Sequence, residues 1–60
     1  MNPYEDLEAR GFVTIAEAAR RADMPYHTVR NWVKSNRVKS IHRLGRVFVD
    51  IASLEEFLRT

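Results

Sequence analysis

The chain contains no cysteine, so neither a disulfide nor a thiolate zinc site can staple it. Such a composition suits a reducing cytoplasm. Glycine and proline are scarce, with two of each, and no glycine-rich phosphate loop or linker can be drawn from them. No apolar run approaches the ~20 residues that a membrane-spanning helix needs, and the first residues lack the basic-then-apolar layout of a secretory leader. A soluble, cytoplasmic protein with no membrane partner is expected. His27 and His42 have no further ligand at metal spacing, so no metal and no cofactor is expected. Ser35, Ser40 and Ser53 lack the glycine setting of a nucleophile elbow. Sixty residues are hardly enough for both a core and a substrate pocket, and catalysis is not expected.

What is present is a segregated charge. Lysine and arginine total 10 against 8 acidic residues, a net charge of +2. Residues 1–9 carry Glu5, Asp6 and Glu8 and no base. Residues 20–46 carry Arg20, Arg21, Arg30, Lys34, Arg37, Lys39, Arg43 and Arg46 against Asp23 alone. Residues 47–60 return to acid with Asp50, Glu55 and Glu56 against Arg59. A basic centre between acidic ends points to a polyanion met at one place.

Hydrophobic spacing divides the chain into short elements. Asn2-Pro3-Tyr4-Glu5 has the layout of a helix start, and Gly11 can close that helix in a left-handed conformation, so a short helix is expected over residues 3–10. Phe12-Val13 reads as a very short strand or an extended lead-in. Thr14 and Glu17 form a capping box for a second helix, whose Ile15, Ala18, Ala19 and Ala22 share one face. Asp23-Met24-Pro25 breaks the pattern, and Pro25 suits the start of a third helix reaching about Asn36. From Val38 the period shifts towards two. Residues 38–42 and 46–50 read as strands flanking Arg43-Leu44-Gly45, a two-stranded hairpin that must pack on helices to be stable. The last helix carries Ile51, Leu54, Phe57 and Leu58, capped by Ser53 or Asp50.

The third helix has two contrasting sides. Val29, Trp32 and Val33 fall together at helical spacing, while His27, Arg30, Asn31 and Lys34 fall opposite. Together with the second helix, this is the spacing of a helix-turn-helix. Ala19 lies where the helices cross, Met24 fills the apolar slot of the turn, and Asp23 takes the left-handed position where glycine is frequent. In such an arrangement the polar strip enters the DNA major groove. Arg30 and Asn31 suit guanine and adenine edges, and Thr28, Lys34 and Arg37 suit phosphates. Tyr26 sits at the edge of the apolar face, where core packing and a phosphate hydrogen bond are equally open. Trp32, Phe12, Phe48 and Phe57 are assigned to the core, and Glu55-Glu56 to a solvated face. Arg20 or Arg21 is placed to touch phosphate from the second helix. Lys39, His42, Arg43 and Arg46 put a basic wing beside the third helix, able to reach the backbone or an adjacent minor groove.

Thr28-Val29-Arg30-x-Trp32, Arg43-x-Gly45-Arg46 and Leu54-x-x-Phe57-Leu58, within residues 12–58, resemble the MerR-like winged helix of small phage excisionases, those of mycobacterial phages most nearly. The resemblance implies an α+β fold, a winged helix-turn-helix of helices plus a two-stranded β-hairpin wing, filling residues 1–60 as one domain with 1–11 as an N-terminal extension. Its recognition helix would be residues 25–35 and its wing tip residues 43–46. It also implies a recombination directionality factor: a non-catalytic, double-stranded-DNA-binding protein of the host-cell cytoplasm. Several copies would sit side by side on attachment-site arms, bend the DNA and steer phage integrase towards excision. Small regulators of the BldC type share these pieces, so transcriptional control by the same fold stays open. An interaction module for an integrase or polymerase is the alternative of another class.

Overall fold

The computed structural model describes residues 4–59. Among them the chain forms α1 (Glu5–Ala9), β1 (Phe12–Thr14), α2 (Ile15–Ala22), α3 (Tyr26–Lys34), β2 (Ser40–Arg43), β3 (Arg46–Asp50) and α4 (Ile51–Arg59). Asn2 and Pro3, expected to start the first helix, lie outside the described residues. The strands form one antiparallel sheet in the order β1-β3-β2. The hairpin therefore acquires a third strand. The Phe12–Thr14 lead-in pairs with the free edge of β3, Val13 standing opposite Val49, because an open edge otherwise leaves backbone N–H and C=O groups without ladder partners.

The boundaries of α2 and α3 and the start of α4 have local causes. Thr14 Oγ1 accepts the Glu17 backbone N–H at 3.2 Å and starts α2. The reciprocal half of the expected capping box does not form. The Glu17 carboxylate instead receives the guanidinium groups of Arg20 and Arg21, one helical turn on. Helix α2 ends at Asp23, with φ 55°, where the Met24 N–H donates to Ala19 O at 3.0 Å and the Asp23 N–H to Arg20 O at 3.3 Å. This is a Schellman closure with aspartate in the position glycine usually takes. Helix α3 closes in the same way at Asn36, with φ 61°, where Arg37 N–H reaches Trp32 O at 2.9 Å. Pro25 stands just before α3 with an extended ψ of 148°, one residue earlier than its expected place inside the first turn. Asp50 settles the start of α4: its Oδ1 accepts the N–H groups of Ala52 and Ser53. Ser53 Oγ is taken by the Lys39 N–H at 2.9 Å and ties α4 to the base of the wing.

Apolar residues are buried on both faces of the central strand β3. Alternation along β3 sends Val47 and Val49 to one side and Arg46, Phe48 and Asp50 to the other. On the first side Val49 joins Ile15, Ala18, Ala19, Val29, Val38 and Leu54 in the main core, with Trp32, Val33 and Phe57 packed against it. The two alanines let α2 and α3 approach closely, as their spacing predicts. Trp32 meets Phe57 edge-on, with ring centroids 5.0 Å apart, and serves as core. On the second side Phe48 and Leu7 are buried outside that cluster, and Tyr4 lies against Phe48 at 4.8 Å. Helix α1 is thus the lid of a second, smaller core behind the sheet. Two apolar expectations change. Met24 is 41 % exposed and absent from the core cluster, since backbone hydrogen bonds close the turn without an apolar plug. Phe12 is only half-buried and lies outside that cluster.

A pair of packed helices joined by the three-residue turn 23–25, followed by a hairpin, is a helix-turn-helix with a wing. With four helices and a three-stranded antiparallel sheet among the described residues, the fold is a small α+β winged helix-turn-helix.

Candidate nucleic-acid interface

Burying Val29, with Trp32 and Val33 beside it, fixes which side of α3 faces water. His27, Arg30, Asn31 and Lys34 are exposed, and at about 100° per residue they occupy an arc roughly 100° wide opposite Val29. Tyr26 is 53 % exposed, which removes the core alternative for it. Thr28 sits at the margin of the apolar face and is half-buried.

The hairpin turn approaches the start of this helix. Tyr26 and Arg30 of α3, Gly45, Arg46 and Val47 of the wing, and Thr14, Ile15 and Ala16 at the head of α2 line one open groove of about 400 Å³. The positive end of the α2 dipole faces the same space. Two arginines from segments sixteen residues apart therefore line one groove, and anionic charge is favoured there. His42 is exposed on β2 opposite Val47, so cross-strand pairing puts it on the groove side of the sheet.

Ion pairing divides the basic residues. Arg43 is engaged by Asp6 of α1, Nη1 to Oδ2 at 3.1 Å, and this hydrogen bond, ahead of the simple charge effect, lowers the Asp6 carboxyl below its ordinary pKa. Arg20 and Arg21 are engaged by Glu17, with Arg21 Nε 2.9 Å from Oε2. The Glu17 carboxyl is likewise lowered, chiefly by the hydrogen bond from Arg21. Arg30, Lys34, Arg37, Lys39 and Arg46 have no ion pair with any described residue.

The predicted set is therefore only partly brought together. Tyr26, Arg30 and Arg46 converge on the groove, and His27, Asn31 and Lys34 continue the α3 strip. Arg37 is exposed just past the α3 closure. Lys39 opens onto a separate hollow with Phe12, Asn36, Ile41 and Asp50, roughly 13 Å down the strand from Arg43. Arg20 does not line the groove. Sequence reasoning did not single out three contributors. Ala16 enters the groove because α2 begins there. Asp6 has no local signal, lying 37 residues from its partner. Leu44 was legible as a bulky residue in a turn that asks for positive φ.

With this geometry in view, comparison with known proteins is decisive at the level of family. The helix-turn-helix domain family matches residues 12–60. The chain belongs to this family. No curated protein and no solved structure matched it. Membership supports double-stranded DNA as the partner of this helix-turn-helix protein, and such domains are typically non-enzymatic. The matched residues include all of α2, α3, the wing and α4, and they leave out α1, the element that supplies Asp6. No helix among the described residues is long and apolar enough to cross a membrane.

Proposed function

We propose that this helix-turn-helix protein is a phage excisionase. It binds the arms of attachment sites in the host-cell cytoplasm and nucleoid, several copies side by side, bends the duplex and directs integrase towards excision. The observation that carries the DNA-binding part is the shared groove: Arg30 of α3 and Arg46 of the wing border one space, so helix and wing can engage one duplex together. The excision role rests on the resemblance to phage excisionases in Thr28–Trp32, Arg43–Arg46 and Leu54–Leu58.

In this reading Asn31 and His27 address base edges from the first turns of α3, where a recognition helix meets the groove floor. Lys34, Arg37 and Thr28 hold phosphates, Arg30 reaches either, and Arg46 carries the wing contact. Arg20, Lys39, His42 and Arg43 stand on the flank, with Arg20 and Arg43 available to phosphate only when their carboxylate partners release them.

Purified protein, attachment-site DNA and cognate integrase test the role. Stimulated excision, with DNA mobility that depends on where the site lies in the fragment, supports it. Promoter occupancy with no effect on recombination would replace it with transcriptional regulation by the same fold. Integrase capture with no duplex binding would replace it with an interaction module.

A further inference from the structure

The wing tip carries a residue that its backbone disfavours. Leu44 and Gly45 are the whole connection between β2 and β3, with φ of 54° and 74°. Positive φ at both positions defines a type I′ hairpin turn, which favours asparagine or aspartate followed by glycine. Leucine has no side-chain oxygen to satisfy the local backbone and carries the steric cost of the left-handed region. Packing does not compensate. Leu44 is 68 % exposed, the most exposed of the large hydrophobic side chains among the described residues. Beside it, a Cβ on Gly45 would meet nothing within 4 Å, so the tip is slender and open. Single exposed leucines are ordinary. An exposed leucine at a strained position, in a wing tip whose Gly45 and Arg46 line the groove shared with α3, points instead to a partner surface.

Resting on the DNA-binding reading above, we propose that Leu44 is an apolar wedge that enters the minor groove beside the site occupied by α3. Arg46, two residues on, lines the groove and favours the negative potential of a narrow minor groove. Arg43, the cross-strand partner of Arg46, immediately precedes Leu44 and is held by Asp6. An apolar side chain pressed against sugar walls and a base step can partially unstack that step and bend the duplex. The contact places no charge on the DNA, so it adds affinity without adding salt dependence.

The test compares Leu44→Asn, Leu44→Met and Arg46→Ala in the full chain, using an attachment-site duplex long enough for one copy and a second long enough for several. Leu44→Asn relieves the turn, so its melting temperature should rise. Its affinity for the short duplex should nonetheless fall about tenfold, a fraction of what full burial of a leucine is worth, with the salt slope unchanged and the bend reduced. Leu44→Met keeps an apolar tip and should bind within about threefold of the parent. Unchanged affinity and bend for Leu44→Asn overturn the wedge. If Arg46→Ala still weakens binding in that case, the DNA-binding face stands and the wedge alone is lost; if Arg46→Ala is also silent, both fall. A Leu44→Asn protein that binds the short duplex normally but loses cooperativity on the long one assigns Leu44 to a protein contact and overturns the wedge as well.

Discussion

Arg43 and Arg46 face each other across the hairpin, and sequence alone makes them equivalent wing contacts. Structure makes them unequal, and the inequality is measurable. Arg46 is exposed and borders the groove, whereas Arg43 already donates to Asp6 at 3.1 Å. Each phosphate neutralised adds about 0.9 to the slope of log affinity against log salt. With Arg30, Lys34, Arg37 and Arg46 as the available cations, the parent slope should be near −3.5. Replacing Arg46 with alanine should flatten it by about 0.9 and weaken binding about eightfold at 0.1 M salt. Arg43→Ala alone is a poor comparison, because it leaves a bare Asp6 carboxylate beside the wing. The pair must be removed together, as Asp6→Asn with Arg43→Gln. That double variant should shift the slope by less than about 0.3, while Asp6→Asn alone, which frees Arg43, should steepen it by up to about 0.9. Fluorescence anisotropy of a labelled duplex over a salt series reads all four proteins, and thermal melts check that each is folded. Equal slope losses in Arg46→Ala and in the pair-deleted protein would refute the claim that α1 occupies Arg43.

The second core gives a further expectation. Leu7 is fully buried between α1 and the sheet, so Leu7→Ala should cost about 2–5 kcal/mol in chemical denaturation while leaving the native emission of Trp32, which packs in the other core, unchanged; a cost below about 0.5 kcal/mol, the range of neutral surface changes, argues against the lid. Asn36→Gly should be neutral or stabilising by up to about 1 kcal/mol, because φ of 61° there suits glycine at least as well, and a clear loss of melting temperature contradicts the Schellman closure of α3. Asp6 and Glu17 both have lowered carboxyl pKa values. Each ionises more readily folded than unfolded, so its stabilising contribution is present above its unfolded value of about 4 and is lost as pH falls through the lower folded value. Melting temperature should therefore decline below about pH 4, less steeply in Asp6→Asn, and an identical decline in that variant removes Asp6 from the explanation.

The amphipathic order of the chain was sufficient for its local elements. The spacing of Val29, Trp32 and Val33, the Thr14 cap and the positive-φ tolerance of Asp23, Asn36 and Gly45 each act within a few residues, so α2, α3, the wing and the outward strip His27-Arg30-Asn31-Lys34 can be read directly. What depends on residues far apart could not be. Burial of Phe48 on the opposite side of the sheet from Val49 requires α1 as a cover. The pairing of β1 with β3, the Asp6–Arg43 contact across 37 positions and the groove that Arg30 and Arg46 both line beside the head of α2 arise only when the sheet closes. Period and capping residues specify which side of each segment is apolar, but sequence carries no direct term for which charged tips the folded chain brings within reach of one another. Tertiary packing makes that choice, and here it leaves Arg46 exposed at the groove and ties Arg43 to the N-terminal helix.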